Sequence, residues 1–275
     1  MNTRTDTFRR LHAGPRPLVL INAWDVASAR IVERAGAAAI ATTSAGIAWS
    51  LGHADGERLP FDDMLAACRR ICGAVRVPVT VDLERGYGAD AAEVRERVRA
   101  LLAVGVAGIN IEDGIDAATG ALHPIERLCE RIAAIRTLDR SLFINARTDV
   151  YFLPRSASTF DDALGRARRC IEAGADGIFM PGLSEPAAIR RTADALDRPL
   201  NVYAGYAGAP TVDELARDGA RRISVGCGAL QSLLGLLGRI ASQAYEDGSF
   251  ESMGHGMASV GELNGLLGDR PANAR

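Results

Sequence analysis

The chain has 275 residues, 48% of them hydrophobic, with a formal net charge of −2, so it is large enough for one big α/β domain or two small ones. No basic excess exists to neutralise phosphates, which argues against nucleic-acid or membrane-surface partners and leaves small molecules as the default. All 32 basic residues are arginine, so Schiff-base, pyridoxal-phosphate and P-loop chemistries, each of which needs a lysine amine, are excluded.

No apolar run approaches the roughly 18–20 residues that span a bilayer, and the polar stretch Met1 to Arg10 lacks the apolar core of a signal peptide; a cytoplasmic protein is expected. Cysteines at 68, 72, 129, 170 and 227 form neither a disulfide framework nor a zinc pattern, and His12, His53, His123 and His255 are equally dispersed. Cys68 and Cys72 share a helical face and are read as buried packing.

After a polar lead-in, residues 17–23 (Leu18, Val19, Leu20, Ile21) predict a strand, with Asp25 as N-cap of a helix from Val26 to Ala35. Ala38 to Thr43 is a second strand, followed by a loop through Gly52 and Gly56 and a helix from Phe61 to Val75 behind Pro60. The third unit centres on Val79-Thr-Val-Asp-Leu-Glu-Arg-Gly-Tyr-Gly88, where Val77, Val79 and Val81 predict a buried strand and Ala91 to Val104 the next helix. Five more pairs follow: Val106 to Ile111 and a helix to Leu138, Leu142 to Ala146 and 160–173, Gly177 to Met180 and 187–196, Leu200 to Tyr203 and 212–217, Arg222 to Val225 and 229–245.

Eight alternating units in about 250 residues predict a parallel sheet closed as a (β/α)8 TIM-type barrel. An open doubly wound sheet is the alternative, but no Gly-x-Gly-x-x-Gly follows the first strand. The expected organisation is a barrel domain over 1–246 and a C-terminal extension over 247–275, weakly helical around Val260 to Leu267, packing on the barrel or on a neighbouring subunit.

Polar residues collect at one end of the predicted strands: Asn22 and Asp25, Thr42 to Ser44, Asp82 and Glu84, Glu112 and Asp113, Asn145 and Arg147, with Asn201 inside the seventh strand. Asp82 and Glu84, two apart, are expected to project from one side of their strand. Paired hard oxygen ligands suit Mg2+ or Mn2+, and Arg147 suits a substrate carboxylate. A structural ion-pair network is the plainer reading. A chelating 2-oxo acid fits this inventory, because a cation shared by its carboxylate and keto oxygens stabilises an enolate.

The motifs Asp82-Leu-Glu-Arg-Gly-Tyr-Gly, Ile111-Glu-Asp and Asn145-Ala-Arg-Thr-Asp, preceded by Thr42-Thr-Ser-Ala-Gly and Asp55, resemble those of the phosphoenolpyruvate mutase/isocitrate lyase superfamily over nearly the whole chain. The resemblance implies that Asp82 binds Mg2+ directly, with Glu84 and Glu112 acting through water. It further implies that Thr43, Ser44, Ala45, Asp82, Asn201 and Arg147 hold the substrate, and that Asp55, Arg147 and Glu112 take part in catalysis. It also implies cleavage or formation of C–C or P–C bonds in 2-oxo acids, and a homo-oligomer, dimer or tetramer, that exchanges its last helix between subunits. Two features depart from the family: Gly114 to Pro124 lacks the Lys-[Lys/Arg]-Cys-Gly-His motif of the lyases, and the second metal-motif carboxylate is Glu84 in place of Asp. Cleavage of an oxaloacetate-like acid is therefore expected ahead of isocitrate cleavage, since departing CO2 needs no general acid. Phosphonopyruvate mutase or hydrolase chemistry and a 2-oxo acid binding protein with little turnover are the alternatives.

Overall fold

The computed structural model describes residues 3–156, 159–254 and 256–269; His255 and residues 270–275 of the C-terminal extension lie outside these. In chain order the elements are α1 (Thr3–Leu11), β1 (Leu18–Leu20), β2 (Asn22–Ala23), α2 (Val26–Arg34), β3 (Ile40–Thr42), α3 (Ser44–Ser50), α4 (Phe61–Ala74), β4 (Val79–Asp82), α5 (Ala91–Ala103), β5 (Gly108–Glu112), α6 (Ile125–Leu138), β6 (Phe143–Arg147), α7 (Thr159–Ala173), β7 (Gly177–Phe179), α8 (Pro186–Ala195), β8 (Leu200–Tyr203), α9 (Val212–Arg217), β9 (Arg222–Ser224), α10 (Gly228–Glu246) and α11 (Val260–Gly268). Every strand pairing is parallel, in the order β1-β9-β8-β7-β6-β5-β4-β3-β2. The predicted first strand is split at Ile21: β1 pairs with β9 and β2 with β3, which brings the sheet around into a (β/α)8 barrel. Among the described residues no helix is long and apolar enough to cross a membrane.

Asn22 sits at the split and bridges it. Its side-chain oxygen accepts from the N–H groups of Val225 (3.1 Å) and Gly226 (2.9 Å), and its amide donates to the Thr42 carbonyl at 2.7 Å. One buried side chain thus carries the hydrogen bonding that the strand backbone gives up where it breaks.

Two helices lie where the sequence predicted none. The first, α1, arises from the polar lead-in and closes the N-terminal end of the barrel with Phe8, which is wholly buried, and the partly buried Leu11. Phe8 meets Phe143 edge-on (5.5 Å between centroids), and His12 stacks on the same ring at 3.9 Å. Gly108 makes room for this plug, since a Cβ there would come within 2.6 Å of the Phe8 ring. Arg4 and Arg9 fasten the helix by donating to the carbonyls of Val75 (3.1 Å) and Ser141 (2.7 Å). The second, α3, begins directly after the predicted strand, in the stretch predicted as loop, with Thr43 as its N-cap.

One expectation is corrected. Glu84 does not extend β4 beside Asp82: the strand ends at Asp82, Val77 lies outside it, and Glu84 has a left-handed backbone with φ of +50°. The chain has turned before Glu84, so strand alternation does not set its direction. Cys68 and Cys72 are buried, as expected, and burial pushes the Cys72 thiol up to about 12.

Asn22→Ala should remove the side-chain partner of the Gly226 N–H and of the Thr42 carbonyl, and leave the Val225 N–H with only its 3.3 Å bond to the Leu20 carbonyl. The expected cost is about 2–4 kcal/mol, read as a lower urea midpoint at unchanged slope; an unaltered midpoint would show that the seam does not depend on Asn22.

Candidate active site at the barrel mouth

The parallel register sets which charges meet. On β5 and β6, Glu112 lies directly opposite Arg147, and on β4, Asp82 lies opposite Asn110 of β5. Alternation along the strands then places Asn110 and Asn145 one layer deeper, where the Asn145 amide donates to Asn110 Oδ1 at 2.9 Å. Arg222 on β9, almost completely buried, donates to the same oxygen at 2.9 Å. Asn201 belongs to this inner layer: it is fully buried beside Arg222 in register, and its Oδ1 accepts from Ser224 Oγ at 3.2 Å.

Asp82 is held from the start of α3. Its Oδ2 accepts from Ser44 Oγ at 2.8 Å and its backbone N–H donates to Thr42 Oγ1 at 3.0 Å, while the buried Oδ1 has no hydrogen-bond partner. Thr43, Ser44 and Ala45 are all buried at this helix start. Glu112 presents a second oxygen of the same kind. Its Oε2 lies 3.0 Å from Arg147 Nη1, close enough for an ion pair but out of line for a hydrogen bond. Burial raises the Glu112 pKa well above the ordinary range, with Arg147 opposing and Asp149 and Asp82 adding to the rise.

Arg147 is clasped side-on by Asp149, with Nε 2.6 Å from Oδ1 and Nη2 3.1 Å from Oδ2. Burial alone would lower the arginine's pKa, but Glu112 and Asp149 more than offset this and raise it. Because a guanidinium carries five N–H donors, Asp149 leaves hydrogens on both terminal nitrogens for an incoming carboxylate. Asp113, the other predicted strand-end acid, faces away from the mouth. It accepts from Thr148 Oγ1 (2.6 Å), the Asp149 N–H (3.0 Å) and Arg166 (3.1 Å), and so supports Asp149 from behind.

Glu84 lies against the loop that carries Asp55. Its Oε2 accepts the Glu57 N–H at 2.7 Å and its Oε1 the Tyr87 hydroxyl at 2.9 Å. Burial, and after it the charge of Asp82, pushes Glu84 up to about 7. Burial and the charge of Glu84 raise the Tyr87 phenol as well, which keeps it a donor. Asp55 is exposed at the rim, though partial loss of water raises its pKa and Asp82 adds to the rise.

Asp55, Glu84 and Glu112 line one cleft of about 430 Å3, which also takes in Glu57, Arg85 and Gly114. The structure thus brings Asp55, Glu84, Glu112 and, through electrostatic contact, Asp82 and Arg147 to one mouth. Asn201 is kept in the layer below. Sequence reasoning assigned no role to Asp149, Glu57 or Tyr87, although Asp149 and Tyr87 stood inside the motifs it singled out.

Hard oxygens on Asp82 and Glu112 that lack a hydrogen-bond partner, in a carboxylate-rich mouth, fit a divalent cation. Among the described residues no three His, Cys, Asp or Glu side chains converge to ligate one ion directly. The segment 114–123 folds on itself by the Ile115–Leu122 bridge and a turn in which Asp116 Oδ1 accepts from Ala118 N and Thr119 N, both at 2.9 Å. It brings His123 Nε2 to 3.3 Å from Arg85 Nη1. Cys129 lies on α6 and does not line the cleft; its thiol is pushed down to about 7, chiefly by hydrogen bonding to Cys170.

A carboxyl whose native pKa is about 7 against an ordinary 4.5 binds its proton more tightly when folded. Its ionisation therefore costs stability that grows as pH rises from about 4.5 to about 7 and is recovered as pH falls back. In chelator-treated protein, Glu84→Gln should gain on the order of 2–3 kcal/mol relative to wild type between pH 5 and pH 8. A difference that stays constant across that range would remove the strained carboxyl.

A sequence profile described as phosphoenolpyruvate phosphomutase matches residues 8–245. The 2-methylisocitrate lyase of Escherichia coli K12 is 32% identical over 76% of this chain and 73% of that enzyme. The oxaloacetate decarboxylase of Bradyrhizobium sp. BTAi1 is 31% identical over 81% of this chain and 77% of that enzyme. A crystal structure from Burkholderia cenocepacia J2315, provisionally named a phosphonomutase, superposes with a TM-score of 0.82 at 40% identity, covering 88% of this chain and 99% of that one.

Proposed function

We propose, from the premise that the chain belongs to the phosphoenolpyruvate mutase/isocitrate lyase superfamily of lyases and mutases, that it is a Mg2+-dependent enzyme cleaving a C–C bond in an oxaloacetate-like 2-oxo acid. The observation that carries this reading is the pair of buried carboxylate oxygens without a hydrogen-bond partner, Asp82 Oδ1 and Glu112 Oε2, the latter ion-paired with Arg147. A divalent cation here supplies positive charge for the oxygens of a 2-oxo acid as negative charge develops on the former ketone. Arg147 pairs the substrate carboxylate through the hydrogens that Asp149 leaves on its terminal nitrogens, and Asp149 keeps the guanidinium plane fixed. Ser44 orients Asp82, and Asp55 reaches the cleft from the opposite wall.

The short hairpin 114–123 supports the choice of an oxaloacetate-like substrate. It places Gly114, Ile115 and Ala117 along the cleft, none of which can protonate a departing carbanion, so loss of CO2 suits this mouth better than release of glyoxylate. A phosphonate dianion calls for more positive charge than this mouth offers, because Arg85 is already paired with Glu57 at 2.9 Å.

Oxaloacetate, phosphonopyruvate, 2-methylisocitrate and isocitrate should be compared with Mg2+ present, with Asp82→Ala as the control for metal-promoted decarboxylation in solution. Pyruvate formed faster than in that control is the expected result; rapid glyoxylate release from isocitrate overturns the assignment. Arg147→Lys keeps the charge but loses the planar fork, and should weaken 2-oxo acid binding by about 2–5 kcal/mol in calorimetry; equal affinity would detach Arg147 from the substrate.

The chain is also proposed to act as a homo-oligomer. On α10, Leu230 packs inward while Leu233 (53% exposed), Leu234 (46%) and Leu237 (59%) face outward, an apolar strip of the kind subunit contacts cover. Sedimentation at micromolar concentration should give a species larger than 29.1 kDa; a monomer would leave the strip to another partner.

A further inference from the structure

The geometry points to Glu57 as a positioning residue: it latches the loop carrying Asp55 onto the turn that follows Asp82, and so sets Asp55 over the reacting centre. This inference rests on the functional reading above and adds a residue to it.

Glu57 is tied to that turn in both directions. Its N–H donates to Glu84 Oε2 at 2.7 Å. Its Oε1 accepts the Tyr87 N–H at 2.8 Å, and its Oε2 accepts from Arg85 Nη2 at 2.9 Å and Nε at 3.2 Å. The Tyr87 hydroxyl returns to Glu84 Oε1, which closes a ring of hydrogen bonds between the two segments. Among the described residues, Glu57 (φ +59°), Glu84 (φ +50°) and Tyr87 (φ +56°) are the non-glycine residues with left-handed backbone, and all three belong to this ring. Such conformations are costly and persist where surrounding contacts impose them; here those contacts are the ring itself.

Arg85 extends the latch to the opposite wall. Its side chain passes under Gly114, where a Cβ would come within 2.8 Å of Arg85 Cδ, and reaches His123. Its backbone is fixed separately, by Arg131 donating to the Arg85 carbonyl at 2.8 Å. The Glu57–Arg85 pair therefore joins the 55–58 loop to the 114–123 hairpin across the cleft that both line. Glu84 has the reach for this task because its side chain is one methylene longer than aspartate, which gives the departure at that position a physical use. Asp55 is separated from Glu57 only by Gly56, so the latch fixes where its carboxylate stands.

The test compares wild type with Glu57→Ala, Arg85→Met and the double variant. Oxalate, a planar stand-in for an enolate, serves as probe with Mn2+. Glu57→Ala should leave Mn2+ affinity within about 3-fold, because Asp82 keeps its own contacts, while oxalate affinity at saturating Mn2+ falls about 10-fold or more. On oxaloacetate, kcat should fall further than KM rises. The double variant should be no worse than either single one, as expected of two halves of one contact. Trypsin cleavage after Arg58, identified by mass spectrometry, should accelerate in both single variants. A wild type that binds neither Mn2+ nor oxalate overturns the functional reading and the role of Glu57 with it. A wild type that binds both, with a folded Glu57→Ala that binds oxalate equally well and resists trypsin at Arg58 equally, overturns the latch alone.

Discussion

Charge does not balance in the barrel mouth, and much of the structure follows from that. Asp55, Asp82, Glu84, Glu112 and Asp149 act on one another electrostatically around the guanidinium of Arg147. Burial in such company penalises ionisation, which is why Glu84 is pushed up to about 7 and Glu112 well above the ordinary carboxyl range. A fold selected only for stability has no use for this arrangement, since apolar side chains of similar volume would cost less. It makes physical sense for a site that meets a cation.

The frame that holds these charges is itself polar in its depths. Below the mouth, Asn110, Asn145, Asn201 and Arg222 occupy inward positions that a barrel commonly fills with branched aliphatic residues. Burial pushes Arg222 down to about 9, with the negative charge of Asp82 working in the opposite direction. The floor is apolar instead, with Phe8 of α1 and Phe143 packed together and His12 stacked over the latter. Burial pushes His12 down to about 3, so it stays neutral in its aromatic setting at ordinary pH.

Two walls shape the entrance to the cleft. The hairpin after β5 is short and closed on itself, and the loop before α4 is fastened by Glu57. Both walls are held by fixed hydrogen bonds within this chain. The same loop bears Asp55, so the contacts that shape the entrance also hold that carboxylate at the cleft.

The alternating rhythm of apolar runs and amphipathic helices was enough to read the barrel from sequence, because parallel strands buried on both faces must be near-continuously hydrophobic. The strand-end acids and Arg147 were legible for a related reason: charges that interrupt such runs stand where the chain leaves the core. The helix α1 was not legible, since Thr3–Leu11 is polar along most of its length and becomes a barrel floor only through where Phe8 and His12 land. Glu84 was placed on the strand beside Asp82 because period-two alternation says nothing of where a strand stops. Its left-handed backbone is set by contacts with Glu57 and Tyr87 from outside the strand. The split at Ile21 and the bridging by Asn22 depend on the last strand, some 200 residues away along the chain. Local pattern determined which residues could form elements and which charges would lie at their ends. Which of those charges meet in one mouth was decided by tertiary contacts between segments whose separation in sequence carries no distance information.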